Sequence, residues 1–245
     1  MTSEAAETAA ARAAALIDLE RHAEAVPLLL QALGARPHDA ELLDLFAQAQ
    51  LRVDSRAASE TAKRLVEAAP QSHRGYLLGS FAAMELGRRR EAIALARQAI
   101  ELAPFVAMNH AQLAQAMAMK RVIRYRRAIK VARWAIELDP DSTVGYIAAG
   151  NVELASGRGR RAQKWYRQAL ELQPTGRAAR VNLAIADRRR GRLNAAYAGI
   201  LARLEHDPRD EFALRLLDSM IYRTLAHLQW IILVLLFVVL GIKGG

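Results

Sequence analysis

Arginines gather in four clusters along the chain. Arg88, Arg89 and Arg90 form the first. Lys120, Arg121, Arg124, Arg126 and Arg127 form the second. Arg158, Arg160 and Arg161 form the third, and Arg188, Arg189, Arg190 and Arg192 the fourth. A guanidinium presents a planar fork of donors that matches carboxylate and phosphate bidentately, so clusters of this kind suit anion binding. The plainer reading is that exposed turns tolerate charge. Other chemistry has little to stand on. The histidines, at 22, 38, 73, 110, 206 and 227, show neither HxxxH nor HExxH spacing. Gly157–Gly159 lacks the Lys-Ser/Thr of a phosphate loop. Glu101, Glu137 and Glu171 recur at one column, which marks a structural position rather than an acid/base pair. Cys is absent, which excludes disulfides, zinc-thiolate sites and a Cys nucleophile. The expectation is a chain that is not an enzyme and uses no cofactor or metal.

The elements that position these clusters follow from composition and spacing. The chain has 245 residues, 53% apolar and 24% charged, with only 14 Gly and 7 Pro. Abundant Ala and sparse Gly favour helices over turns and exclude an all-β fold. The net charge of +10 is unevenly placed: residues 1–72 carry −4 and residues 73–245 carry +14. Such asymmetry suits an anionic partner such as membrane headgroups, nucleic acid or an acidic protein, and Arg-rich codon usage is the bland alternative. The first residues, with Glu4, Glu7 and Asp18 and no long apolar run, do not read as a signal peptide.

Six prolines set a period. Pro37, Pro70, Pro104, Pro140, Pro174 and Pro208 are separated by 33, 34, 36, 34 and 34 residues. Twelve residues before each stands an alanine: Ala25, Ala58, Ala92, Ala128, Ala162 and Ala196. Five before stand Ala32, Leu65, Ala99, Ala135, Ala169 and Arg203. Within the preceding stretch a third column holds Ala13, Ala47, Ser80, Ala114, Gly150 and Ala184. Small side chains at these columns let two antiparallel helices approach closely. Each Pro ends a second helix, because it cannot donate the i→i−4 bond and restricts the residue before it. Gly87, Gly157 and Gly191 fall at the turns between paired helices, where positive φ is useful. The turns of the second repeat (Val53–Arg56) and the fourth (Lys120–Arg124) lack glycine. Pro27 is expected to bend the second helix of repeat 1, and Arg203 to loosen the packing of repeat 6.

The period, the columns and the closing Pro resemble the tetratricopeptide repeat family, over about residues 6–208. The resemblance implies an all-α fold: a right-handed solenoid of about six helix–turn–helix repeats (1–208), whose inner face, lined by first helices, binds an extended or helical peptide. A capping helix (209–223) would follow, with Asp210 as its N-cap and Phe212, Leu216 and Leu217 turned toward repeat 6. By register the peptide groove would include Arg74, Leu77 and Phe81, then Met108, Gln112 and Gln115, then Ile147 and Asn151, and last Asn182 and Ile185. Amides there could bond a peptide backbone while apolar residues accept its side chains. The Lys/Arg-with-Asn clamp by which some members hold a terminal carboxylate is not matched. The basic clusters all fall at the turns within repeats, so they would form a ridge along one edge.

Residues 224–243 read as a transmembrane anchor, since Trp230–Ile242 holds no charge. Arg209, Arg215 and Arg223 before it and Lys243 after it place the repeats on the cytoplasmic side of a bacterial inner membrane. The expected function is a membrane-anchored scaffold, within a larger membrane complex, that recruits a protein or peptide partner. Lipid headgroups are the nearest anions for the ridge. RNA binding through the ridge is the alternative, with Tyr125, Trp165 and Tyr166 as stacking candidates, although Tyr166 falls at a helix-packing column that reads as core and no RNA-binding motif is present.

Overall fold

A computed structural model describes residues 3–119, 125–189, 193–207, 210–222 and 229. Regular structure among them is helical throughout. The helices are α1 (Ser3–Asp18), α2 (His22–Ala35), α3 (Ala40–Gln50), α4 (Ser55–Ala68), α5 (His73–Glu85), α6 (Arg89–Leu102), α7 (Ala107–Ala118), α8 (Tyr125–Leu138), α9 (Thr143–Ala155), α10 (Gly159–Leu172), α11 (Arg177–Arg189) and α12 (Leu193–His206). Residues 211–222 form α13. The chain divides into two compact units, Met1–Pro174 and Thr175–Gly245.

Unit 1 is five helix pairs, each helix packed on the next in sequence, with first helices also touching their neighbours: α3 with α5, α5 with α7, α7 with α9. Local sequence sets the boundaries. Asp39 and Asp54 cap α3 and α4 by accepting two backbone N–H bonds each, and Ser72 and Ser142 cap α5 and α9. Helices α2, α4, α6, α8 and α10 all stop two residues before a proline. The residue preceding Pro is pushed out of the α region, which fixes that stop. Gly87 and Gly157 take φ of 73° and 77° in their turns, as the sequence requires, while Glu20 takes φ 58° in the first turn without being glycine. Gly191 and the Lys120–Arg124 turn lie outside the described residues. Helix α2 runs unbroken through Pro27, which sits near its start and so removes only one early hydrogen bond.

The small columns form the inner seam. Ala25, Ala92, Ala128 and Ala162 are fully buried, as are Ala13, Ala47, Ser80 and Ala114 across from them. The core therefore comes from close backbone approach rather than bulk, and an added methylene anywhere along it overpacks the pair.

Unit 2 pairs α11 with α12. Asp210 caps α13, accepting the Ala213 N–H at 2.9 Å. Ala184, Ile200, Ala213 and Met220 are its buried cluster, with Leu204, Leu216 and Leu217 packed on it. Phe212, expected to face inward, is 48% exposed, and Ala213, the next position round the helix, is buried instead. Arg203 does not loosen its site. It is only 12% exposed and pairs with the buried Asp210 carboxylate.

The membrane assignment is corrected. Among the described residues no helix is long and apolar enough to cross a membrane. The longest of α1–α12 has 16 residues, about 24 Å of helix against a hydrocarbon core of roughly 30 Å. That overturns the inner-membrane, single-pass localisation and the lipid partner drawn from it. Of residues 224–243, to which the anchor was assigned, 224–228 and 230–243 lie outside the described residues.

Candidate functional site

The first helices of unit 1 bring several of the expected groove residues together and withdraw others. Leu77 is 2% exposed and Gln112 is fully buried. Both serve the interior rather than a ligand. Gln112 Nε2 donates to Ser80 Oγ at 3.0 Å, and Ser80 Oγ donates to the Ala92 carbonyl at 2.8 Å, so the amide ties α7 to α5 and α5 to α6. Arg74 is half-buried and committed, donating twice to Asp44 on α3, both at 2.9 Å. Phe81, Met108 and Ile147 are half-buried. Asn182 and Ile185 are half-buried on α11, in unit 2.

The best-built part joins α7, α9 and α10. Tyr166 on α10 is fully buried, yet its hydroxyl donates to Asn151 Oδ1 on α9 at 2.8 Å. Asn151 Nδ2 in turn donates to Gln115 Oε1 on α7 at 3.0 Å. Each bond has one direction, and the direction propagates. Here the phenol donates, Asn151 turns its oxygen inward and its nitrogen toward α7, and Gln115 accepts with its oxygen. Gln115 Nε2 then has no partner among the described residues and keeps its N–H groups for a carbonyl or carboxylate. The relay exists because repeat 5 departs from its neighbours. Where Tyr166 stands, repeats 2, 3 and 4 have Ala62, Ala96 and Ala132, and opposite it repeat 5 alone has glycine. A Cβ on Gly150 would lie 2.2 Å from the Tyr166 ring. Register alone predicts Tyr166 as core, which holds. The hydroxyl reaching Asn151 was missed, and the signal for it was the pairing of the largest residue in one column with the smallest in the other.

Replacing Tyr166 by Phe keeps the packing and removes the donor. The expected loss is about 1 kcal/mol, read as a modest fall in Tm by circular dichroism, with loss of the distinct Asn151 side-chain amide signals by NMR.

Arg90, Arg126, Arg127, Arg158, Arg160 and Arg161 are exposed. Arg88 pairs with Glu91 at 3.6 Å, and the half-buried Arg89 donates to the Met117 carbonyl at 3.1 Å. Arg158 lies over the Tyr125 ring, 3.6 Å from its centroid. The Tyr125 hydroxyl donates to Glu153 at 2.7 Å. Burial, and then the Glu153 carboxylate, push the Tyr125 pKa up, so it remains a donor across the neutral range. Arg124 and Arg190 lie outside the described residues, as do the side chains of Arg188 and Arg189.

Comparison with known proteins places this architecture. Residues 76–105 match the model of the tetratricopeptide repeat. TTC0263, described as a thermophilic tetratricopeptide repeat protein of Thermus thermophilus, superposes with a TM-score of 0.67 at 27% identity, covering 74% of this chain and 98% of that one. The Cut9–Hcn1 heterotetramer structure matches with a TM-score of 0.68 at 16% identity, over 89% of this chain and 43% of that one. PilW, a type IV pilus biogenesis factor, matches with 0.61 at 16% identity, over 86% and 98%. No curated protein matches the sequence.

Proposed function

For a chain built of tetratricopeptide repeats, we propose a protein-interaction scaffold that binds an extended polypeptide across the first helices of unit 1, at α7 and α9. The observation that carries this is the oriented amide pair. Gln115 and Asn151 are held by Tyr166 from inside the fold, with Gln115 Nε2 left unpaired among the described residues. An extended peptide carries carbonyls along both edges, and one of them meets this donor while half-buried Ile147 and Phe81 offer apolar contact to side chains. Because the donor is already oriented, less side-chain entropy is lost on binding. Leu77 and Gln112 act beneath this surface, holding its shape.

A random-sequence peptide display selection against the full chain tests this. Enriched peptides are expected to bind about tenfold more weakly to Gln115→Ala, the loss of one or two well-placed hydrogen bonds, and the same chain should remain folded by circular dichroism, losing only the Asn151–Gln115 bond, about 1 kcal/mol. A selection whose winners bind Gln115→Ala and Ile147→Ala as tightly as the parent chain overturns the proposal.

A further inference from the structure

The turns of unit 1 carry a second surface that the groove does not use. Two contacts place neighbouring turns on one edge. Arg89, at the start of α6, reaches the Met117 carbonyl near the end of α7, and Tyr125, at the start of α8, reaches Glu153 near the end of α9. In these two repeats the start of the second helix thus touches the end of the next first helix. Along this edge Arg126, Arg127, Arg158, Arg160 and Arg161 are exposed and have no carboxylate partner among the described residues. Acidic residues are few there: Glu85 is exposed at the end of α5, Glu91 is taken by Arg88, and Glu153 is 2% exposed with its bond going to Tyr125.

One node is preorganised. Tyr125 is anchored by Glu153, and Arg158 stacks on its ring at 3.6 Å. Stacking fixes the plane of the guanidinium while its N–H edges stay in solvent, so little freedom is lost when a carboxylate docks on the fork.

We propose that this edge docks an acidic segment of a partner polypeptide, its Asp and Glu side chains seated on successive turns. The spacing suits a polyproline II segment. Packed helices stand about 10 Å apart, and one turn of polyproline II, three residues, rises about 9 Å and returns to the same face, so a carboxylate at every third residue meets each turn. Nucleic acid fits less well, because the aromatic groups that would stack on bases are already used. The Tyr125 face is covered by Arg158, Trp165 is half-buried against Tyr146 with ring centroids 6.2 Å apart, and Tyr166 is fully buried.

Fluorescence anisotropy of labelled poly-L-glutamate and of labelled poly-uridine RNA, titrated with the full chain at low and physiological salt, decides it. Poly-L-glutamate is expected to bind, to weaken as salt screens the contacts, and to bind the triple variant Arg127→Ala/Arg158→Ala/Arg161→Ala about tenfold more weakly, the sum of three exposed charge contacts. Circular dichroism should show the variant folded, since all three side chains are exposed. No binding at low salt, equal binding by the triple variant, or tighter binding of RNA than of poly-L-glutamate overturns the proposal.

Discussion

Asp210→Ala will cost unit 2 about 3–5 kcal/mol, the penalty of breaking a buried ion pair. The Asp210 side chain is 1% exposed and has three jobs. It caps α13 through the Ala213 N–H, it accepts from Arg177 on α11 at 2.6 Å, and it pairs with Arg203 on α12. Its removal frees the α13 N-terminus and leaves Arg203, 12% exposed, as a cation with no counter-charge in place. Asp210→Asn keeps the shape and most of the cap, so it should cost less. Hydrogen exchange read by mass spectrometry checks this region by region. Protection should fall across α11, α12 and α13 while α1 to α10 keep theirs.

The same carboxylate makes unit 2 acid-sensitive. Burial alone would raise the Asp210 pKa, but the Ala213 N–H and the Arg203 and Arg177 guanidiniums outweigh it and hold the group below the usual carboxylate range. A lowered folded-state pKa adds stability at all pH values above the unfolded carboxylate pKa and gives it up as pH falls through the folded value. Unit 2 of the parent chain should therefore lose exchange protection on acidification below the ordinary carboxylate range, and the Asp210→Asn chain should lack that step.

Gly150→Ala will destabilise unit 1 by about 2 kcal/mol, although alanine is the better helix former. The gain in helix propensity is about 1 kcal/mol. Against it, the new methyl lies 2.2, 2.6 and 2.7 Å from three atoms of the Tyr166 ring. That ring is fully buried and its hydroxyl is tied to Asn151, so it cannot swing aside cheaply. Overpacking of this kind costs about 1–3 kcal/mol, at the upper end here. Gly34 is the control. It is exposed on α2 with nothing within 4 Å of an added Cβ, so Gly34→Ala should leave stability unchanged or raise it by up to about 1 kcal/mol. Repeat 1 solves the same contact with Ala13 and Leu29, both fully buried. Gly150→Ala/Tyr166→Leu should recover much of the loss. Thermal denaturation by circular dichroism ranks the three chains.

The helix pairs were legible because the constraint behind them repeats. A proline every 34 residues or so and alanine at fixed offsets follow from helix termination and close approach, both local in sequence. The departures were less legible. Arg203 sits in a small-residue column and looks like a defect until Asp210, seven residues on, is seen to need a buried cation. Leu77 and Gln112 share a helix with groove residues, and half a helix turn decides whether a side chain meets solvent or a neighbour. Register to the nearest residue does not resolve that. Phe212 failed for the same reason. Tyr166 was placed in the core correctly, but a polar tip on a buried ring needs a partner, and the partner, Asn151, lies on another helix. A charged turn is visible in sequence, whereas the stack of Arg158 on Tyr125 depends on two repeats meeting.

The binding surface is tested most directly by the side-chain amide of Gln115. In a selectively labelled full chain titrated with a display-selected peptide, its Nε2 protons should shift downfield and become protected from exchange with water as they take up a carbonyl. Tyr166→Phe should blunt that shift and weaken binding severalfold without unfolding the chain. Saturating peptide that leaves the Gln115 amide resonances unmoved contradicts binding at α7 and α9.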